Sequence, residues 1–203
     1  MNKTDKTVLT SRAAEVRPFY VMQLLARAGQ LEAEGRSVLH LEVGEPDFPT
    51  PQPIIDAGIR ALRQLKTHYT PALGLPELRH SIAAYYQQKF NVEIDARRVI
   101  VTPGASGALQ LALGVLLDAG DRVAVTDPGY PCNRHMVSLF GGQPVPIPVG
   151  QDSVYAVPES ALVEVMKDDL RALMVASPAN PTGNLIDLDA LRALQRQLSR
   201  QSD

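Results

Sequence analysis

The run Thr102-Pro103-Gly104-Ala105-Ser106-Gly107 links a short apolar stretch to an apolar helix, and its small side chains suit an anion. Backbone N–H groups can approach a phosphate there, the helix dipole favours negative charge, and the Ser106 hydroxyl can donate as well. The plainer alternative is a tight turn in which Ser106 caps the helix. The spacing is neither GxGxxG nor a Walker loop, which speaks against dinucleotides and nucleoside triphosphates. Further along, Asp127-Pro128-Gly129-Tyr130-Pro131 sets Tyr130 in a sharp turn, where its ring can stack on a planar ligand. A lone tyrosine packs into a core or lies on a rim more commonly.

A third stretch, Ser177-Pro178-Ala179-Asn180-Pro181-Thr182-Gly183-Asn184, holds one asparagine between two prolines. Both prolines fix φ, and Pro181 biases Asn180 toward an extended backbone. A side chain held in this way offers a donor and an acceptor, suited to a ring oxygen or a substrate carboxylate. By itself Asn-Pro is also a plain turn signal.

Other reactive side chains carry less. Cys132 reads as a small packed residue, because no cation is assured beside it to make a thiolate. As the single cysteine, it excludes an intramolecular disulfide and any multi-cysteine metal site. His40, His68, His80 and His135 show no metal-ligand spacing and read as non-ligands.

Hydrophobic periodicity supplies the elements that must position these residues. After a polar arm to about Arg17, helices are predicted over Pro18–Glu34, Gln52–Leu65 and from Pro76, with a strand at Val38–Val43. From Val99 the pattern becomes strand, turn, helix, strand. Strands are predicted at Val99–Thr102, Arg122–Thr126, Pro144–Val149 and Leu173–Ala176. Helices are predicted at Ala108–Leu117, Asn133–Phe140, Pro158–Lys167 and Leu188–Leu198. This alternation implies an α/β fold with a mostly parallel sheet covered on both faces. Ligands of such sheets settle outside the carboxyl ends of the strands, where the three candidate turns fall.

The totals agree with a globular domain. The 203 residues are 45% hydrophobic and 21% charged, with a formal net charge of −2. That balance gives no basic face for nucleic acid. No apolar stretch reaches membrane-spanning length, and the N-terminus lacks an apolar signal core, so a cytoplasmic protein is expected.

Five blocks together resemble the class I/II aminotransferases, fold-type-I enzymes that use pyridoxal 5′-phosphate (PLP). They are Leu41-Glu42-Val43-Gly44-Glu45-Pro46-Asp47-Phe48; His68-Tyr69-Thr70-Pro71 with Gly74 and Pro76-Glu77-Leu78-Arg79; Val101 to Leu109; Asp127 to Pro131; and Ser177 to Gly183. Each is weak alone, and their succession in family order is specific. The resemblance runs from about residue 16 onward. It implies a three-layer α/β/α large domain, incomplete here, over residues 45–203, preceded by an N-terminal arm and small-domain segment over 1–44.

Roles follow from the resemblance, residue by residue. Ala105, Ser106 and Gly107 are expected to hold the PLP phosphate, Tyr130 to stack on the pyridine ring, and Asn180 to hydrogen-bond the ring oxygen and orient substrate. Gly44 is expected to bring its backbone near the substrate carboxylate. Tyr69 is expected to reach the phosphate of a neighbouring subunit, which implies a homodimer. The implied reaction is ping-pong transfer of an amino group between an amino acid and a 2-oxo acid, with the cofactor as electron sink.

The family's remaining motifs are expected beyond residue 203: an aspartate for the pyridine nitrogen, the Schiff-base lysine and an arginine for the substrate carboxylate. Lys3, Lys6, Lys66, Lys89 and Lys167 match none of them, so the catalytic lysine is not assigned and this chain by itself is expected to be inactive. Rival readings are a carbon–sulfur β-lyase, an aminocyclopropane-carboxylate synthase-like enzyme, or a non-catalytic pseudoenzyme fragment. A regulator's sensing domain would need a helical DNA-binding domain, for which the N-terminal arm leaves no room. A dinucleotide dehydrogenase lacks its glycine fingerprint here.

Overall fold

The computed structural model describes residues 10, 12–13, 16, 18–166 and 169–199. The expected polar arm falls mostly outside these residues, as does Lys167, the predicted end of one helix. The chain divides into two compact units, one of residues 1–24 and 110–203, the other of residues 25–109.

Helices α1 (Tyr20–Ala33), α2 (Gln52–Arg63), α3 (Pro76–Phe90) and α4 (Gly104–Leu116) come first. Then β1 (Arg122–Asp127), α5 (Pro131–Leu139), β2 (Gln143–Pro148), α6 (Glu159–Met166), β3 (Leu170–Met174) and α7 (Leu188–Ser199) alternate. Proline sits in the first turn of α2, α3 and α5, where its missing N–H costs no helix bond. In α5 this starts the helix two residues ahead of the predicted Asn133. Asn91, in the left-handed conformation, ends α3.

The first unit is built on a parallel sheet of order β2-β1-β3. Central β1 buries Val123, Ala124 and Val125. Neighbouring side chains on a strand point to opposite faces, so one layer meets each side. On one face Ala124, Ile147 and Leu170 pack against Ala161 and Val165 of α6. On the other, Val125, Pro144 and Pro146 line a gap together with Arg134 of α5. Helix, sheet and helix make the three layers that the alternation implied.

Strand β2 carries Pro144, Pro146 and Pro148. The intervening N–H groups face β1: Gln143 N–H donates to Asp121 O (2.7 Å) and Val149 N–H to Asp127 O (3.0 Å). The three prolines therefore occupy the positions whose N–H would face outward. That edge presents no donor to a further strand, which fits the confinement of proline to sheet edges.

Two predicted strands do not form. No described segment lies alongside Val38–Val43 or Val99–Thr102 in a ladder, and the chain bends at Glu42. Their β-branched residues favour a strand. A strand, however, also needs a partner, and pairing is a tertiary property. Strand β3 begins three residues earlier than predicted, because Leu170 pairs with Arg122 ahead of a register irregularity.

Among the described residues no helix is long and apolar enough to cross a membrane, and no group of three or more His, Cys, Asp or Glu side chains could hold a metal ion.

Candidate functional site

In the first unit, parallel pairing of β1 and β3 sets their carboxyl ends side by side. The loops that follow carry Tyr130 and Asn180. Both loops contribute to one small gap, through Thr126, Pro128, Ala179, Thr182 and Asn184. At about 20 Å³ it holds little more than one water.

The Tyr130 turn is made by Gly129. A Cβ there would stand 2.4 Å from Thr126 O and 2.7 Å from Thr126 Oγ1, so only glycine fits. Tyr130 follows in extended backbone, and Pro131 then opens α5. The ring is half-buried and meets Phe19 edge-on, with centroids 6.0 Å apart and planes at 81°. Its hydroxyl hydrogen-bonds the Cys132 side chain; that bond, and then burial, raise the phenol above its ordinary pKa and keep it protonated. Cys132 is a free, half-buried thiol, consistent with the packed role read for it. Beyond Phe19, a groove of about 560 Å³ runs along α5 past Arg134 and His135.

The Asn180 loop is stiff for a reason the prolines do not supply alone. Gly183 N–H donates to Ala179 O (2.7 Å) and Ala179 N–H to Asn184 O (2.9 Å). Asn184 also accepts from Thr182 Oγ1 and donates through Nδ2 to Tyr155 O at 3.0 Å. Ser177 Oγ accepts from Ile186 N–H at 3.0 Å. Asn184, Ser177 and Tyr155 are thus the positioning residues that sequence reading missed. The signal available was the last residue of the quoted motif itself. Asn180 is exposed, and its side chain has no hydrogen-bond partner among the described residues, so its donor and acceptor are both open to a ligand.

The second unit carries the other candidates. Helix α4 begins at Gly104 (φ +74°), earlier than the predicted Ala108. Ala105, Ser106 and Gly107 therefore form its first turn instead of a turn ahead of it, and Ser106 is not a cap. Their N–H groups are those a helix leaves without internal partners. Ser106 is exposed, with no side-chain partner among the described residues. At Gly107 a Cβ would lie 3.1 Å from Pro103 Cδ, so the turn is already tight. Open N–H groups, a free hydroxyl and the positive end of a helix together suit a phosphate dianion.

Tyr69 stands wholly in solvent, at 107% of its reference exposure. Its loop is fixed at the far end, where Val101 N–H donates to Leu73 O (3.1 Å) and Gly74 (φ +95°) leaves no room for a Cβ against Val101. The Tyr69 loop and the run into Gly104 are thereby neighbours. Arg79 pins the same region, its guanidinium donating to Val99 O (2.9 Å) and Ala96 O (2.8 Å). Gly44 is exposed, in a stretch that is neither helix nor strand.

Comparison with known proteins bears on these residues as a set. The sequence model for "Aminotransferase class I and II" matches residues 36–201. The chain is 40% identical over 180 residues to a (5-formylfuran-3-yl)methyl phosphate transaminase of Methanocaldococcus jannaschii, covering 89% of this chain and 46% of that protein. It is 39% identical to a valine–pyruvate aminotransferase of Mycobacterium tuberculosis, covering 94% and 48%. A crystal structure of an aminotransferase from Mycobacterium tuberculosis superposes with a TM-score of 0.88 at 38% identity, over 95% of this chain and 49% of that one. The chain spans about half the length of the curated relatives it matches. The small parallel sheet with its helices is accordingly an incomplete form of the α/β fold of those enzymes.

Proposed function

Because the chain belongs to the class I and II aminotransferases, a family of PLP-dependent enzymes, we propose that it recognises PLP and serves the transfer of an amino group between an amino acid and a 2-oxo acid. The observation that carries this is the open first turn of α4, where Ser106 presents an unpartnered hydroxyl beside the free N–H groups of Ala105 to Gly107.

Each residue has a separate task. The α4 turn binds the phosphate as a dianion through N–H groups and the Ser106 hydroxyl. Tyr130, its ring held edge-on by Phe19, offers a face for stacking on the pyridine. Asn180 donates through its amide to the phenolic oxygen, and Asn184 keeps the loop from collapsing over that position. Gly44, with no side chain, lets its backbone N–H meet a substrate carboxylate. The full exposure of Tyr69 suits a phenol that serves the phosphate bound by a second subunit of a homodimer. When bound, PLP supplies the electron sink that amino-group transfer requires. The five lysines match no family lysine motif, so the part assigned to this chain is recognition and orientation.

The test is titration of the chain with PLP, followed by cofactor absorbance, for wild type and the Ser106→Ala, Tyr130→Ala and Asn180→Ala variants. Saturable binding that each substitution weakens by roughly threefold or more, about 0.7 kcal/mol or more, supports the proposal. Absence of saturation, or identical affinities across the set, overturns it.

A further inference from the structure

His40 stands between two carboxylates. Its Nδ1 lies 2.7 Å from Glu42 Oε1 and its Nε2 2.9 Å from Glu32 Oε1. A neutral imidazole has one N–H and one bare lone pair, so it can donate to only one of these oxygens. With both carboxylates ionised, two short contacts require both ring nitrogens to carry protons.

The place of this triad in the chain gives it consequence. Glu32 is on α1, and His40 and Glu42 are on the segment that leads to Gly44. No backbone hydrogen bond ties residues 37–48 to other described residues. Leu39 and Leu41 are 89% and 91% exposed, so of the apolar residues beside His40 only Val38 is even half-buried. Glu42 is only 11% exposed, at the inner end of the clamp. A neighbouring charged pair, Arg27 of α1 with Glu34 in the turn after it at 4.0 Å, does not involve His40.

We propose that His40 is a positioning residue: as an imidazolium clamped between Glu32 and Glu42, it latches the segment bearing Gly44 to helix α1, and losing its proton opens the latch. The significance for substrate rests on the role proposed above for Gly44. The hydrogen bonds to Glu32 and Glu42 also raise the histidine above its ordinary pKa of 6.5. A raised value means that the latch is at full strength below about 6.5 and is lost as pH climbs through the higher, folded value. Glu42 is correspondingly shifted down, mainly by its bond to His40.

The experiment is a pH titration of the whole chain by NMR, observing the His40 ring nitrogens, the Gly44 amide and backbone 15N relaxation over residues 38–45. Both His40 nitrogens are expected to be protonated to a higher pH than in free histidine, and the Gly44 amide shift should follow the same midpoint. Backbone order over 38–45 should drop across that midpoint. His40→Gln, whose single amide nitrogen can take the place of only one ring nitrogen, should show the low order at every pH. A His40 that titrates like free histidine, or an order step that persists in His40→Gln, overturns the proposal. PLP titration of the same samples separates the two claims: a chain that binds no PLP yet shows the His40 step keeps the latch and loses the cofactor reading.

Discussion

Phe19 meets Tyr130 edge to face, at 6.0 Å and 81°, and so fixes the plane of the ring that we propose stacks on PLP. Such a contact contributes about 0.5–1.5 kcal/mol beyond burial. Phe19→Ala should therefore weaken PLP binding roughly two- to tenfold. A cofactor titration with unchanged affinity would show that Tyr130 needs no such support.

The two asparagines of the 177–184 loop should separate cleanly. Asn184→Ala removes the bonds to Thr182 and Tyr155 and should lower stability by about 1–3 kcal/mol in urea unfolding. Asn180→Ala removes an exposed side chain with no described partner, so its stability should stay within about 0.5 kcal/mol of wild type. Its PLP affinity should fall all the same.

Glycines should differ by what surrounds them. Gly129→Ala drives a Cβ to 2.4 Å from the Thr126 carbonyl oxygen, a backbone atom that cannot swing away. A loss of about 1–3 kcal/mol is expected. Gly58→Ala, inside α2 with nothing within 4 Å, should instead gain about 0.5–1 kcal/mol. Thermal unfolding of the two variants checks the contrast.

Asp95 begins the short turn Ala96–Arg98, with Oδ1 accepting from Arg97 N–H and Oδ2 from Arg97 Nε and Nη2. The Arg97 side chain first, then its backbone N–H, holds this carboxyl at about 2, below the ordinary 3.8. A depressed carboxyl stabilises above its unfolded pKa and stops doing so as pH falls through its folded one. Amide exchange at residues 96–98 should stay slow down to about pH 4 and quicken between there and pH 2. Asp95→Asn should remove that acid step.

Legibility differed by element. Helices α2 and α7 could be read to within two residues at each end, and α3 at its start, because apolar spacing and, in α2 and α3, a first-turn proline are local signals. The runs Val38–Val43 and Val99–Thr102 read as strands and form none, since the deciding atoms belong to another segment. The site candidates stood in the sequence as motifs. The residues that hold them, Phe19 beside Tyr130 and Asn184 inside the Asn180 loop, did not, because contacts across many residues leave no local spacing.

The amino-acid sequence by itself determined the alternation of β and α, the small residues at the head of α4, and a succession of blocks specific enough to give the family. These are properties of residue type and order, and they survive without coordinates. Tertiary structure alone decided that Ser106 sits inside a helical turn, and that prolines 144, 146 and 148 all face the outer edge of β2. It also placed both ring nitrogens of His40 against carboxylates, one eight residues away and one two residues away. Read from spacing, that histidine had no role. Its protonation is set by which atoms surround it, and that is fixed only once the chain has folded.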